Sequence, residues 1–165
     1  MDWEVRHALN YETLLTAAGG SEAKAGEAFD RAKELLDINE PFDRSYGEYA
    51  RLLDLDIAAV RQAYEENVRA FGTLEGKVWI INRDSPLWPK QVSMFAYIPR
   101  FLYVQGDVNL LKQPIVSVIG TRSPSLEGRK LAYQSSLALA KGNFVVASGL
   151  ALGIDAIAHK SVLSE

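Results

Sequence analysis

Two glycine turns hold the residue types that could do chemistry: IGTRSPS at 119–125 and SGLALGID at 148–155. Each follows a short apolar, β-branched run and precedes a helical pattern. Gly120, Gly149 and Gly153 would let the backbone approach a ligand with no Cβ in the way. A helix that begins directly after a strand presents unpaired N–H groups and the positive end of its dipole, a setting suited to an anion. Arg122 leaves the first strand end, and its guanidinium fork matches a phosphate. The plain alternative is a pair of tight turns beside a solvated arginine. Neither turn is a dinucleotide fingerprint, because the next glycine after Gly120 is Gly128, and no phosphate loop of the G-x-x-x-x-G-K-[ST] type occurs.

Asp155 falls in the first turn of the helix after the second glycine loop. A carboxylate is favoured there, so Asp155 is read as a cap that could keep the loop in shape. His159 lies four residues on, on the same helix face. An Asp–His pair could orient a base, but no serine or cysteine nucleophile is placed with it by sequence. His7 stands alone on a helix and is read as a surface or packing residue. The aromatics Trp79, Trp88, Tyr97, Phe101 and Tyr103 are read as core between the two halves of the chain, with base stacking as the other use.

Presenting two such loops side by side requires a strand–helix–strand–helix order. The sequence offers it from residue 115: PIVSVIG, LEGRKLAYQSSLALAKGN, FVVASG and IDAIAHKSVLSE. The strands are short and lack polar alternation, as expected when helices cover both faces. This predicts a right-handed parallel βαβ unit. KVWIIN and FLYVQGD read as further strands, separated by RDSPLWPKQVSMFAYIPRF, whose three prolines rule out one long element. The first 72 residues read as three or four helices. Gly19–Gly20 stops the first, Ser21 caps the second, Pro41 interrupts, Asp56 caps the last and Gly72 stops it. The division expected is a helical domain over 1–72 and a Rossmann-like domain over 73–165, an α/β protein.

The chain has 165 residues, 48% hydrophobic and 24% charged, enough for a packed core. The net charge of −3 divides unevenly: residues 1–75 carry 16 acids against 8 bases, and 76–165 carry 5 against 10. A basic second half suits a phosphate-binding unit. There are no cysteines, which excludes disulfides, thiol nucleophiles and cysteine-bound zinc. No bound metal or cofactor is expected. No apolar run reaches the length of a membrane span, and the acidic, polar N-terminus does not read as a signal peptide. A cytoplasmic protein is expected.

The stretch from Phe101 to Leu163 resembles the DNA-processing protein A (DprA, or Smf) family. The matching pieces are LYVQGD at 102–107, VIGTR at 118–122, GR at 128–129 and VVASGLALGIDAIAH at 145–159. DSPLWPKQV at 84–92 is similar to the family's aspartate–tyrosine–proline segment, with Trp88 in the tyrosine's place. The helical region sits where such proteins carry a domain of the sterile-alpha-motif or helix-hairpin-helix type, but the hairpin's Gly-x-Gly is absent.

The resemblance implies a non-enzymatic protein of natural transformation and recombination. It would bind single-stranded DNA on an extended Rossmann fold, help load the recombinase RecA, and form a homodimer in the intact family. The family's motif arginine contacts phosphate, which carries over to Arg122 within Gly120–Thr121–Arg122. The second loop lines the same pocket, which carries over to Ser148, Gly149 and Gly153, with Asp155 and His159 in support. Only two strands of the family's central sheet precede Glu165. Exposed strand edges and apolar helix faces are therefore expected, in a shortened piece, a decayed gene product, or a chain whose sheet something else completes. The rival function is a sensor or hydrolase of a nucleotide-derived small molecule on the same Rossmann type. A third is a purely structural role for the acidic helices.

Overall fold

The computed structural model describes residues 3–74, 76–92, 95 and 98–163. They fall into two compact units, one of Met1–Trp88 with Ala96–Gly106, the other of Pro89–Phe95 with Asp107–Glu165.

The first unit has four helices, α1 (Trp3–Ala17), α2 (Glu22–Leu35), α3 (Tyr46–Leu53) and α4 (Ile57–Leu74). Their ends follow local chemistry. Gly19 and Gly20 take positive φ, and the bonds Gly19 N–H to Thr16 and Gly20 N–H to Leu15 close a left-handed helix stop. The Ser21 side chain then caps α2 by accepting from the Lys24 N–H at 3.5 Å. Asp54, also left-handed, ends α3, and Asp56 accepts from the Ala58 N–H at 2.7 Å to open α4. Gly72 does not stop α4, which runs to Leu74. A single helical glycine costs only about 1 kcal/mol, which neighbouring turns can offset.

The compact unit does not end where its helices do. Strands β1 (Trp79–Asn82) and β2 (Phe101–Val104) pair antiparallel in the register Trp79 to Val104 and Asn82 to Phe101. Ile80 and Phe101 enter the same core as Tyr11, Phe29, Phe42 and Val60. The Phe101 ring lies 5.8 Å from Tyr11 and 6.2 Å from Phe29. Arg100, beside it, donates to both Asp30 carboxylate oxygens at 2.7 and 2.6 Å and lies over the Tyr11 and Phe29 rings. That hydrogen-bonded guanidinium, against the opposing effect of burial, holds the Asp30 carboxyl below its ordinary range. The Tyr103 hydroxyl donates to Glu12 at 2.7 Å.

The aromatics read as core are not all buried. Phe101 and Trp88 are buried, whereas Trp79 is exposed, and Tyr97 lies outside the described residues. Trp79 is the exposed first residue of β1, and Ile80 rather than the tryptophan joins the core. His7 packs edge-on against Trp3 and shares a 3.1 Å bond with Asn39.

The second unit holds the βαβα order: β3 (Ile115–Ser117), α5 (Leu126–Lys141), β4 (Val145–Ala147) and α6 (Ile154–Leu163). β3 and β4 are parallel, with Ile115 opposite Val145 and Ser117 opposite Ala147. Apart from Asp155 at the start of α6, the buried positions of α5 and α6 are small: Ala132 and Ser136 on one, Ala158 and Ser161 on the other. Small side chains let the two helices approach closely. The apolar faces around them are open. Ile119, Leu126, Leu131, Leu150, Leu152 and Leu163 are all exposed, and the two strands pair only with each other among the described residues.

Candidate nucleic-acid interface

β3 and β4 run parallel, so their two outgoing loops emerge side by side. Ladder pairing continues one step past β3, where the Val118 N–H donates to the Ala147 carbonyl at 2.9 Å. The Ser148 hydroxyl then donates to the Val118 carbonyl at 2.7 Å. These bonds tie the first residues of the two loops together.

Further out, the loops press on each other at glycines. Gly153 has φ +83°, and a Cβ there would lie 2.3 Å from the Thr121 carbonyl oxygen and 2.7 Å from the Arg122 Cα. The next residue closes the contact, with the Ile154 N–H donating to the Thr121 carbonyl at 3.1 Å. Gly120 answers from the other side, where a Cβ would meet the Ile154 side chain at 2.7 Å. Gly120, Thr121, Ser148, Gly149 and Gly153 thus form one joined structure, and its glycines are positions of close approach.

Arg122 is exposed on this structure, and among the described residues its guanidinium makes no hydrogen bond or ion pair. Its backbone is pinned by Gly153, while its side chain is free to meet an incoming anion. After it, Thr121 Oγ1 accepts from the Ser123 N–H at 3.2 Å, and Ser125 caps α5 by accepting from the Gly128 N–H at 3.1 Å. Arg129 folds back from α5, and its Nε donates to the Pro124 carbonyl at 3.4 Å, which brings a second guanidinium toward the same loop. The unit as a whole carries seven Lys and Arg against four Asp and Glu, an excess of three positive charges.

Asp155 is 94% buried at the start of α6, being 6% exposed. Its Oδ2 accepts from the Gly149 N–H at 3.0 Å, and the backbone N–H groups of Ala151 and Gly120 also favour its charged form. The Ser148 hydroxyl lies against it too, but its single proton goes to Val118. Burial opposes ionisation, yet these N–H donors outweigh it and hold the carboxyl below its ordinary range. His159 is not hydrogen-bonded to Asp155, and its Nε2 is buried without a partner, so no oriented base pair is assembled. Among the described residues no cluster of three His, Asp or Glu could hold a metal ion.

Two features of the site carried no sequence signal. Leu150 sits between Gly149 and Ala151 with φ +58°, a left-handed conformation that costs a leucine roughly 1–2 kcal/mol. Its side chain is 83% exposed. The other feature is the return of Arg129 to Pro124, which helical spacing alone does not reveal.

The family model for DNA recombination-mediator protein A matches residues 79–165. Protein Smf of Escherichia coli strain K12 is 33% identical over 84 residues, covering 51% of this chain and 22% of that protein. DNA processing protein DprA of Streptococcus pneumoniae is 37% identical over 76 residues, covering 46% of this chain and 27% of that protein. The X-ray structure of DprA from Streptococcus pneumoniae superposes with a TM-score of 0.66 at 25% identity, covering 94% of this chain and 54% of that one. The matches to curated relatives thus span about a quarter of their length, and the structural match spans about half of that chain.

Proposed function

The chain belongs to the DNA recombination-mediator protein A family, and we propose that its joined glycine loops bind single-stranded DNA through phosphate, with Arg122 as the principal contact. The observation that carries this reading is Arg122 itself: an exposed, unpaired guanidinium whose backbone is locked against Gly153 in a basic unit. A phosphate contact there is charge-assisted, and hydrogen bonds to charged groups contribute about 1.5–3 kcal/mol. The Ser125-capped start of α5 and the returning Arg129 lie along the same loop and add positive potential. The residues are assigned binding and positioning, with no catalytic step. For the whole protein the proposal extends to recombination during natural transformation, with RecA loading and a homodimer, none of which draws on a residue named here.

Binding by phosphate neutralisation releases counterions, so affinity must fall with salt. Fluorescence anisotropy of a labelled oligo-dT is expected to show weak binding with a negative slope of log affinity on log salt, about 0.7 for each phosphate neutralised on a single strand. Affinity should be nearly indifferent to base sequence. An affinity that ignores salt would contradict the electrostatic reading. Binding of a mononucleotide as tightly as the oligonucleotide would favour a small-molecule site.

A further inference from the structure

We propose that Asp155 is a positioning residue for the DNA site, its carboxylate tying the Gly149 turn to the start of α6 in the one arrangement that fixes Arg122. The inference rests on the proposed phosphate reading and assigns Asp155 a part in it. Three observations converge. First, Asp155 is 94% buried, and its carboxylate accepts the Gly149 N–H at 3.0 Å, six residues back in the same loop. Second, the Gly149 donor immediately precedes Leu150, the residue in the left-handed conformation. A carboxylate bonded to the N–H beside it holds the Leu150 backbone there against its own preference. Third, the Gly149 backbone lies close against the carboxylate, where a Cβ would lie 3.1 Å from Asp155 Oδ2.

The consequence for recognition is specific. The start of α6 already has its anion, supplied by the protein. The ligand phosphate is therefore left to Arg122 on the other loop. Asp155 acts on it at one remove, because Ile154 and Gly153, immediately before it, make the bond and the backbone contact that pin Thr121 and Arg122.

Asp155→Asn tests this, because the amide keeps the volume and replaces one acceptor oxygen with a donor group facing N–H donors. Oligo-dT affinity is expected to fall five- to tenfold. Leu150→Gly provides the readout that a merely structural role would not move. Glycine takes the left-handed conformation freely, so the Asp155→Asn loss measured in a Leu150→Gly background should shrink to twofold or less. Added to Arg122→Ala, Asp155→Asn should cost little more. Hydrogen exchange of the Gly149 amide in the absence of DNA should quicken in Asp155→Asn while α5 stays protected. Wild-type affinity in Asp155→Asn, an undiminished loss in the Leu150→Gly background, or unchanged exchange at the Gly149 amide overturns the assignment. If the wild-type chain binds no DNA but the exchange pattern appears, the positioning role stands and the phosphate reading fails.

Discussion

Gly153→Ala is expected to dismantle the loop junction, with a loss of stability in the second unit of about 2–5 kcal/mol. The left-handed conformation at φ +83° accounts for roughly 1–2 kcal/mol of this. Overpacking contributes about 1–3 kcal/mol more. The atoms a Cβ would strike, the Thr121 carbonyl oxygen and the Arg122 Cα and carbonyl carbon, all belong to backbone, and no side-chain rotation can clear them. The two loops must therefore separate, which breaks the Ile154–Thr121 bond and releases Arg122. Oligonucleotide affinity should fall by a hundredfold or more. Gly128→Ala is the matched control. That glycine lies within α5, where a Cβ meets its nearest atom at 3.5 Å, so the change should be neutral or stabilising by a few tenths of a kcal/mol to about 1 kcal/mol. Equal behaviour of the two variants would remove the close approach from the account.

Phe101→Ala should lower the stability of the helical unit by about 3–5 kcal/mol, although the residue lies well outside the helical segment. Its ring is 6% exposed and packs on Tyr11 and Phe29 from α1 and α2. For a unit of this size each kcal/mol shifts Tm by about 4–8 °C, so a fall of roughly 12 °C or more is expected. The signal to follow is the helical circular dichroism, since the helices carry most of it. The same packing predicts that residues 1–72 alone melt less cooperatively than 1–106, which includes the hairpin. A drop of less than about 1 kcal/mol in Phe101→Ala would mean that the hairpin leaves the helical core intact without its phenylalanine.

The elements that were legible are those whose ends are written locally. Gly19–Gly20, Ser21 and Asp56 fix helix ends by backbone conformation and side-chain acceptors within a few residues. The βαβα order from residue 115 was equally plain, because two apolar β-branched runs bracket one helical period. Pairing of β1 with β2 was not legible. Their partners lie some twenty residues apart across a three-proline segment, and register over that distance depends on the helical core that both strands cover. Burial of Phe101 beside exposed Trp79 follows from the same cause. At the site, the glycines announced close approach but not what they approach. That Gly153 rests on Arg122 depends on how two loops from different strand ends meet, and the Asp155 bond to the Gly149 N–H and the left-handed Leu150 lie within the second of them. No periodicity within either loop encodes that meeting.

The central claim is that one positioned arginine, rather than a diffuse basic surface, holds the DNA phosphate. The measurement that tests it most directly is the oligo-dT dissociation constant of Arg122→Ala beside Lys130→Ala and Arg129→Ala at moderate salt, with melting temperatures matched. Loss of a charge-assisted contact worth about 1.5–3 kcal/mol is a loss of about tenfold or more. Lys130 is an exposed helical charge that adds only to the screened field, so its loss should be about twofold. Arg129, which reaches back to Pro124, should fall between them. Arg122→Lys should recover only part of the loss, since the ammonium keeps the charge and lacks the fork. A tenfold loss confined to Arg122 is the predicted result. Equal losses across the three alanine variants would contradict the account and leave Gly120–Thr121–Arg122 as a turn on a basic surface.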